Sequence, residues 1–254
     1  MNCVMKLKNI AVERGVRVLL SGLSCDIRAG EITVVLGPNG AGKSSLLLAL
    51  NALIPASGNI ELLGQFLSFY SRNALANTIA WQGSLPPTEF GLTVEQRLRL
   101  ALHEADVSIA GPAATMDIAA LMPRPLGELS SGERQRVELA ALMLRDTPVW
   151  LLDEPTAHLD LKHQISCIQM MKKQAGDGRA IITVLHDIQQ AMAIADHVIL
   201  IDGNGGAEYG KATNLLKSST LSQLFGAPVV RQPTVLIPDY ATPADRIVSN
   251  GDIQ

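Results

Sequence analysis

Gly37-Pro38-Asn39-Gly40-Ala41-Gly42-Lys43-Ser44 is the stretch that decides how this chain folds. It matches G-x-x-x-x-G-K-[ST], follows the apolar run Ile32 to Leu36, and leads into the helix-like run Ser45 to Leu53. Strand, glycine-rich turn and helix in that order make a phosphate cradle. The glycines let the backbone curl until successive amides point inward, and the helix N-terminus adds partial positive charge. Gly37, Asn39, Gly40, Ala41, Gly42, Lys43, Ser44 and Ser45 are therefore expected to line a phosphate site. Lys43 would reach the β and γ phosphates, and Ser44 would offer its hydroxyl to magnesium. Charge-assisted amide contacts at ~1.5 to 3 kcal/mol each outweigh a helix dipole worth ~0.3 to 1 kcal/mol, so the amides should dominate binding. A turn that merely joined strand to helix would leave Lys43 and Ser44 unexplained.

Further along, Val149 to Leu152, Ala180 to Leu185 and Val198 to Ile201 are short runs rich in Val, Ile and Leu, like Ile32 to Leu36. Continuous apolar runs of this length suit strands buried on both faces, and helical patterns lie between them. The expected fold is α/β, a mostly parallel sheet covered by helices, with ligands gathered at the carboxyl ends of the strands. One such end carries Asp153-Glu154-Pro155. Side chains alternate on an extended backbone, so Asp153 is expected in the magnesium shell and Glu154 facing the attacking water as its base. Without the phosphate loop, two acids would be read as the start of a loop. His186 should emerge on the same sheet edge, where an imidazole can hydrogen-bond a γ-phosphate; a structural histidine, with Asp187 capping the helix Ile188 to Ala195, is the alternative. Gln82 ends the strand-like Thr78 to Trp81 and could coordinate magnesium or water, although alone it is a weak signal.

Between about Leu92 and Leu144 the strand signal disappears. Val94, Leu98, Ala101 and Leu102, then Val137, Ala140, Ala141 and Leu144, recur at helical spacing, as in a helical insertion or in crossover helices of the same sheet. Within it, Leu129-Ser130-Ser131-Gly132-Glu133 precedes an amphipathic helix, and Ser130 with Glu133 forms an S-x-x-E capping box.

The 254 residues suffice for one large domain, and 47% hydrophobic with 18% charged residues fits a folded globular chain. A formal net charge of -3 offers no broad basic field, so nucleic acid is not the expected partner. Cys3, Cys25 and Cys167 lack metal-ligand or redox spacing, which points to a reducing compartment. Met1 to Ile10 reads as a first strand rather than a signal segment, and no apolar stretch approaches the ~20 residues that a membrane span needs.

In this order the motifs resemble the ATP-binding-cassette (ABC) ATPases. The resemblance spans essentially the whole chain: the phosphate loop, Gln82 as the glutamine loop, Leu129 to Glu133 as the signature, Asp153 and Glu154 as the Walker B strand end, Ala157-His158-Leu159-Asp160 as the D-loop, and His186 as the switch histidine. It implies a P-loop NTPase core with a mostly parallel sheet, N-terminal antiparallel strands and an inserted helical subdomain. A single cassette would cover 1–254, with 1–83 and 150–226 as the catalytic core, 84–149 as the helical signature subdomain and 227–254 as a tail. It implies ATP and Mg2+ as ligands and a head-to-tail dimer in which Ser130, Gly132 and Glu133 of one copy, with Asp160 of its D-loop, approach the nucleotide of the other. It further implies permease subunits, a periplasmic binding protein in the assembled system, and a peripheral place on the cytoplasmic face of the inner membrane. The tail from Gln223-Leu224-Phe225-Gly226 to Val235-Leu236-Ile237-Pro238 resembles the importer subfamily for iron-siderophore, haem or cobalamin complexes. A non-transport ATPase of iron-sulfur assembly and a lipid exporter are the alternatives. The chain departs from the family in three ways: Arg14 falls where an aromatic ring usually stacks on adenine, Ser131 and Glu133 replace the commoner glycine and glutamine, and the helical insertion is compact.

Overall fold

The computed structural model describes residues 2–85, 91–102, 107–230 and 238–240. β1 (Cys3–Arg14) and β2 (Arg17–Arg28) form a long hairpin, β3 (Ile32–Leu36) runs through the phosphate loop into α1 (Lys43–Leu50), and β4 (Ser57–Leu62) and β5 (Gln65–Phe66) follow. α2 (Arg72–Ala76) precedes β6 (Ile79–Gln82); then come α3 (Val94–Arg99), α4 (Ala110–Thr115) and α5 (Ser131–Met143). β7 (Val149–Asp153), α6 (Leu161–Gly176), β8 (Ala180–Val184), α7 (Ile188–Ile194) and β9 (His197–Ile201) complete the alternating core. β10 (Ala207–Lys211), α8 (Ala212–Leu215) and α9 (Ser218–Phe225) close the described chain.

One sheet is antiparallel, in the order β2-β1-β4-β5, and the other has the order β10-β9-β3-β8-β7-β6. In the second sheet all pairings are parallel except β10 with β9. Every residue of β3, β8 and β9 is buried, including the polar Thr33, Thr183 and His197, as their largely apolar runs require. Their side chains feed two cores by simple alternation. Val35, Val149, Leu151, Ile182 and Val184 point toward α1 and the antiparallel sheet, while Val34, Leu36, Trp150, Leu152 and Ile181 point toward α5, α6 and α7. Each such side chain fully buried contributes roughly 1.5 to 3 kcal/mol, so the strands that carry the acids and the phosphate loop are firmly anchored.

No strand lies between Leu92 and Leu144 among the described residues. Val94, Leu98, Ala101, Val137, Ala140, Ala141 and Leu144 are all buried, and they join the core on the α5 face of the sheet rather than forming a separate one. Arg97 on α3 binds Glu138 on α5 through two hydrogen bonds of 2.9 and 2.5 Å. Both α3 and α5 begin with a complete capping box, Thr93 with Gln96 and Ser130 with Glu133. Asp187 caps α7 by accepting from the amides of Gln189 and Gln190. The tail segment Val235 to Ile237 lies outside the described residues.

Candidate nucleotide site

The phosphate loop leaves β3 at Leu36 and enters α1 through Gly42, whose φ of 106° is left-handed. A Cβ on Gly42 would also stand 2.8 Å from the Cβ of Leu19, so backbone sign and space both demand glycine there. No side chain caps α1 and its first turn holds no acid, which leaves its amides open to an anion. The helix begins at Lys43, earlier than the run Ser45 to Leu53 suggested, and ends at Leu50. Lys43 is only 6% exposed, and its Nζ donates to the carbonyl oxygens of Gly37 at 2.9 Å and Pro38 at 3.0 Å. Burial pulls its ammonium below the usual lysine range, and Glu154 and Asp153 oppose that shift.

A cleft of about 720 Å³ opens over this loop. Asn39, Gly40, Gly42, Lys43, Ser44 and Ser45 form its floor, Glu154 and His186 one wall, and Arg14, Arg17 and Leu19 the other. Gly37 takes part through its carbonyl, and Ala41 is buried beneath. Arg17 and Leu19 are not among the sequence candidates. The glycine in Arg14-Gly15-Val16-Arg17 marks the tight turn that pairs Arg14 with Arg17, a signal that could have placed Arg17 here; nothing in the sequence singles out Leu19.

Asp153 ends β7 beside Val184 of β8, and Gln82 of β6 pairs with Leu152. The alternation expected of Asp153 and Glu154 does not hold, because Glu154 has left the extended strand: its φ is 54°. A non-glycine residue in that region costs about 1 to 3 kcal/mol of local strain. The turn brings Glu154 Oε1 to 2.6 Å from His186 Nε2. Burial raises the pKa of Asp153, and repulsion from Glu154 adds to it; the Ser44 hydroxyl, Lys43 and His186 act the other way. Two oxygens at these strand ends, Asp153 Oδ1 and Gln82 Oε1, are buried without a hydrogen-bond partner. Gln82 donates its amide to Gly83 at 2.7 Å and lines a second groove of about 320 Å³, shared with Trp81, Arg97, Glu138 and Arg145. An orphaned carboxylate oxygen on Asp153, a residue that also meets the Ser44 hydroxyl, suits a small hard cation such as Mg2+, whereas Gln82 faces the second groove. Among the described residues no cluster of three or more His, Cys, Asp or Glu offers a different metal site.

Ser130, Gly132, Glu133 and Asp160 do not line this cleft. Ser130 caps α5, and Glu133 Oε2 accepts from the Ser130 amide at 2.8 Å and hydroxyl at 2.9 Å, which holds the Glu133 carboxyl below the usual range. A Cβ on Gly132 would meet the His158 carbonyl oxygen at 2.7 Å, so the start of α5 packs tightly on the segment that carries His158. Asp160 caps α6 and contacts His163 Nδ1 at 2.8 Å.

The family model described as ABC transporter matches residues 20–157. This chain belongs to the ABC transporter family. Among relatives of this ABC ATPase, the hemin import ATP-binding protein of Streptomyces coelicolor is 36% identical over 87% of this chain and 82% of its own length. That of Shewanella denitrificans is 35% identical, over 87% and 93%. An ATP-binding subunit of an ABC transporter superposes with a TM-score of 0.76 at 21% identity, covering 89% of this chain and 95% of the other. A nucleotide-free ATP-binding cassette gives 0.72 at 18%, covering 89% and 96%. These structures bear on the fold, which is that of the ABC ATPases. Among the described residues of this ABC ATPase no helix is long and apolar enough to cross a membrane.

Proposed function

We propose that this ABC ATPase powers the import of a haem, iron-siderophore or cobalamin type complex through a membrane permease. The relatives at 35 to 36% identity, both described as hemin import ATP-binding proteins, support the cargo class. The 2.6 Å contact between Glu154 and His186, over an open phosphate loop, carries the hydrolytic reading.

ATP lies with its phosphates on the amides of residues 37–45. Lys43 exchanges the carbonyls of Gly37 and Pro38 for β and γ phosphate oxygens. Ser44, Asp153 and Gln82 would hold Mg2+, which would supply positive charge against the phosphates. Glu154 accepts the proton of the attacking water, and His186 orients Glu154 and meets the γ-phosphate. Since Ser130, Gly132, Glu133 and Asp160 lie away from the cleft of their own copy, they act on the nucleotide of a second copy in a head-to-tail dimer. Residues 1–83 and 150–226 form the catalytic core, 84–149 the signature subdomain and 227–254 the tail. The groove beside Gln82, walled by Arg97, Glu138 and Arg145, suits a permease segment, so that docking bears directly on a magnesium ligand. The chain then sits peripherally on the cytoplasmic face of the membrane, with a periplasmic binding protein on the other side.

Gentle detergent extraction followed by affinity purification of this chain tests the assignment. A multispanning permease in the purified complex, with ATPase activity stimulated by a binding protein loaded with haem or a metal chelate, is the expected result. Co-purification with an iron-sulfur scaffold, or stimulation by lipid alone, would overturn it.

A further inference from the structure

The first turn of α6 places His163 three residues after Asp160, where its imidazole Nδ1 meets Asp160 Oδ1 at 2.8 Å. The His163 main-chain amide reaches the same oxygen at 2.9 Å. A carboxylate only accepts, so both nitrogens donate, and Oδ2 stays outside these two contacts. Together they hold the Asp160 carboxyl below the usual carboxylate range.

The far edge of the ring is occupied too. Nε2 is buried without a hydrogen-bond partner and lies 3.5 Å from Asp117 Oδ2, which Lys162 Nζ meets at 3.0 Å. Asp117 follows α4 in a left-handed conformation, with φ 53°, and Arg136 of α5 pins that turn by donating to the carbonyls of Met116 and Asp117. The imidazole, 15% exposed, is thus the enclosed member between carboxylates that are 67% and 64% exposed. Exposed ion pairs add little to stability, so what this arrangement sets is direction. An aspartate that would otherwise turn freely in water is held at one oxygen by two donors of a single residue.

We infer that His163 is a positioning residue for the nucleotide of the second copy: its ring, seated against the Asp117 turn that α5 holds, aims the Asp160 carboxylate at that site. This rests on the head-to-tail reading above and adds a residue to it.

Steady-state ATPase activity of the full chain with residue 163 changed tests it. The main-chain amide at 163 still caps α6 in every variant, so the fold keeps its helix start and only the ring contact is lost. An asparagine amide nitrogen falls where Nδ1 stands, and a glutamine amide nitrogen where Nε2 stands. His163→Ala is expected to lower kcat by about tenfold and to leave the KM for ATP within about twofold, because the phosphate loop is untouched. His163→Asn should recover kcat to within about threefold of the starting protein, whereas His163→Gln, at a similar melting temperature, should not. Unchanged kcat in His163→Ala, or equal activity in the Asn and Gln variants, overturns the inference.

Mixed pairs, co-expressed with two affinity tags, show which site His163 serves. Glu154→Gln silences hydrolysis at its own site, so a pair with that change on one chain reports the other site alone. Placing His163→Ala on the silenced chain should slow the working site by about tenfold, and placing it on the chain that keeps Glu154 should leave the rate unchanged. Slowing in both arrangements, or only in the second, overturns the inference and leaves the phosphate site intact. Failure of any mixed pair to form with ATP, together with turnover per chain that does not depend on protein concentration, would sink the head-to-tail reading and the inference with it.

Discussion

The side-chain amide of Gln135 donates to the main-chain carbonyl of Pro155 at 2.9 Å, and Gln135 is 3% exposed. One bond thereby ties the signature helix to the turn that follows Asp153 and Glu154. Gln135→Leu removes the donor and leaves the Pro155 carbonyl, among the described residues, with the Cys167 thiol at 3.8 Å. A buried acceptor stripped of its partner costs about 1 to 3 kcal/mol. Urea denaturation should show that loss with an unchanged m-value; wild-type stability would mean the bond is dispensable.

Glu154→Gln keeps the size of the side chain and removes the proton acceptor. Steady-state ATPase activity should fall by roughly 10²- to 10⁴-fold while nucleotide affinity is preserved. His186→Ala, which deletes the partner at 2.6 Å, should lower turnover as well. Wild-type-like hydrolysis by Glu154→Gln would remove Glu154 from the role of base.

Asp153 should make the nucleotide-free protein less stable than it could be. Its pKa is raised above the ordinary 3.8, mainly by burial. Between 3.8 and the raised folded value the folded chain holds a proton that the unfolded chain has lost, so stability falls as pH rises through that window. At neutral pH the ionised group therefore remains a cost. Asp153→Asn is expected to raise Tm at pH 7, by a margin that narrows below the ordinary carboxylate range, and to abolish magnesium-dependent activity. A lower Tm at pH 7 would show that its contacts with Ser44 and Lys43 outweigh burial.

Lys43→Ala should weaken Mg-ATP binding by roughly 10- to 100-fold, the worth of one or two charge-assisted hydrogen bonds. Calorimetry reads this directly, and unchanged affinity would take Lys43 out of the phosphate site.

The central strands were legible because burial on both faces leaves a run rich in Val, Ile and Leu: Ile32–Leu36 is strand from end to end, and β7, β8 and β9 differ from their expected bounds by a single residue at one end. β2, β4 and β10 were not legible from their residues. β10, Ala-Glu-Tyr-Gly-Lys, has no buried residue, and its place on the sheet edge is fixed by pairing with β9. The two capping boxes illustrate the same division. Ser130 with Glu133 stood out beside a motif, whereas Thr93 with Gln96 is equally complete in the structure but adjoined nothing of chemical interest. In the site, the identity of the acids was readable and the geometry of Glu154 was not, because its left-handed turn follows from the Val184 carbonyl that receives its amide at 3.2 Å, a partner thirty residues away. Arg17 was hidden by the opposite circumstance: a short turn brings it to the cleft, but it lies outside any motif.

The most direct test of the phosphate site is a crystal structure of the Glu154→Gln protein with Mg-ATP. It should show the triphosphate wrapped by the amides of residues 37–45, Lys43 turned from the Gly37 and Pro38 carbonyls to phosphate oxygens, and Ser130 of a second copy closing over it. A triphosphate bound elsewhere, with Lys43 still held by its own loop, would contradict it.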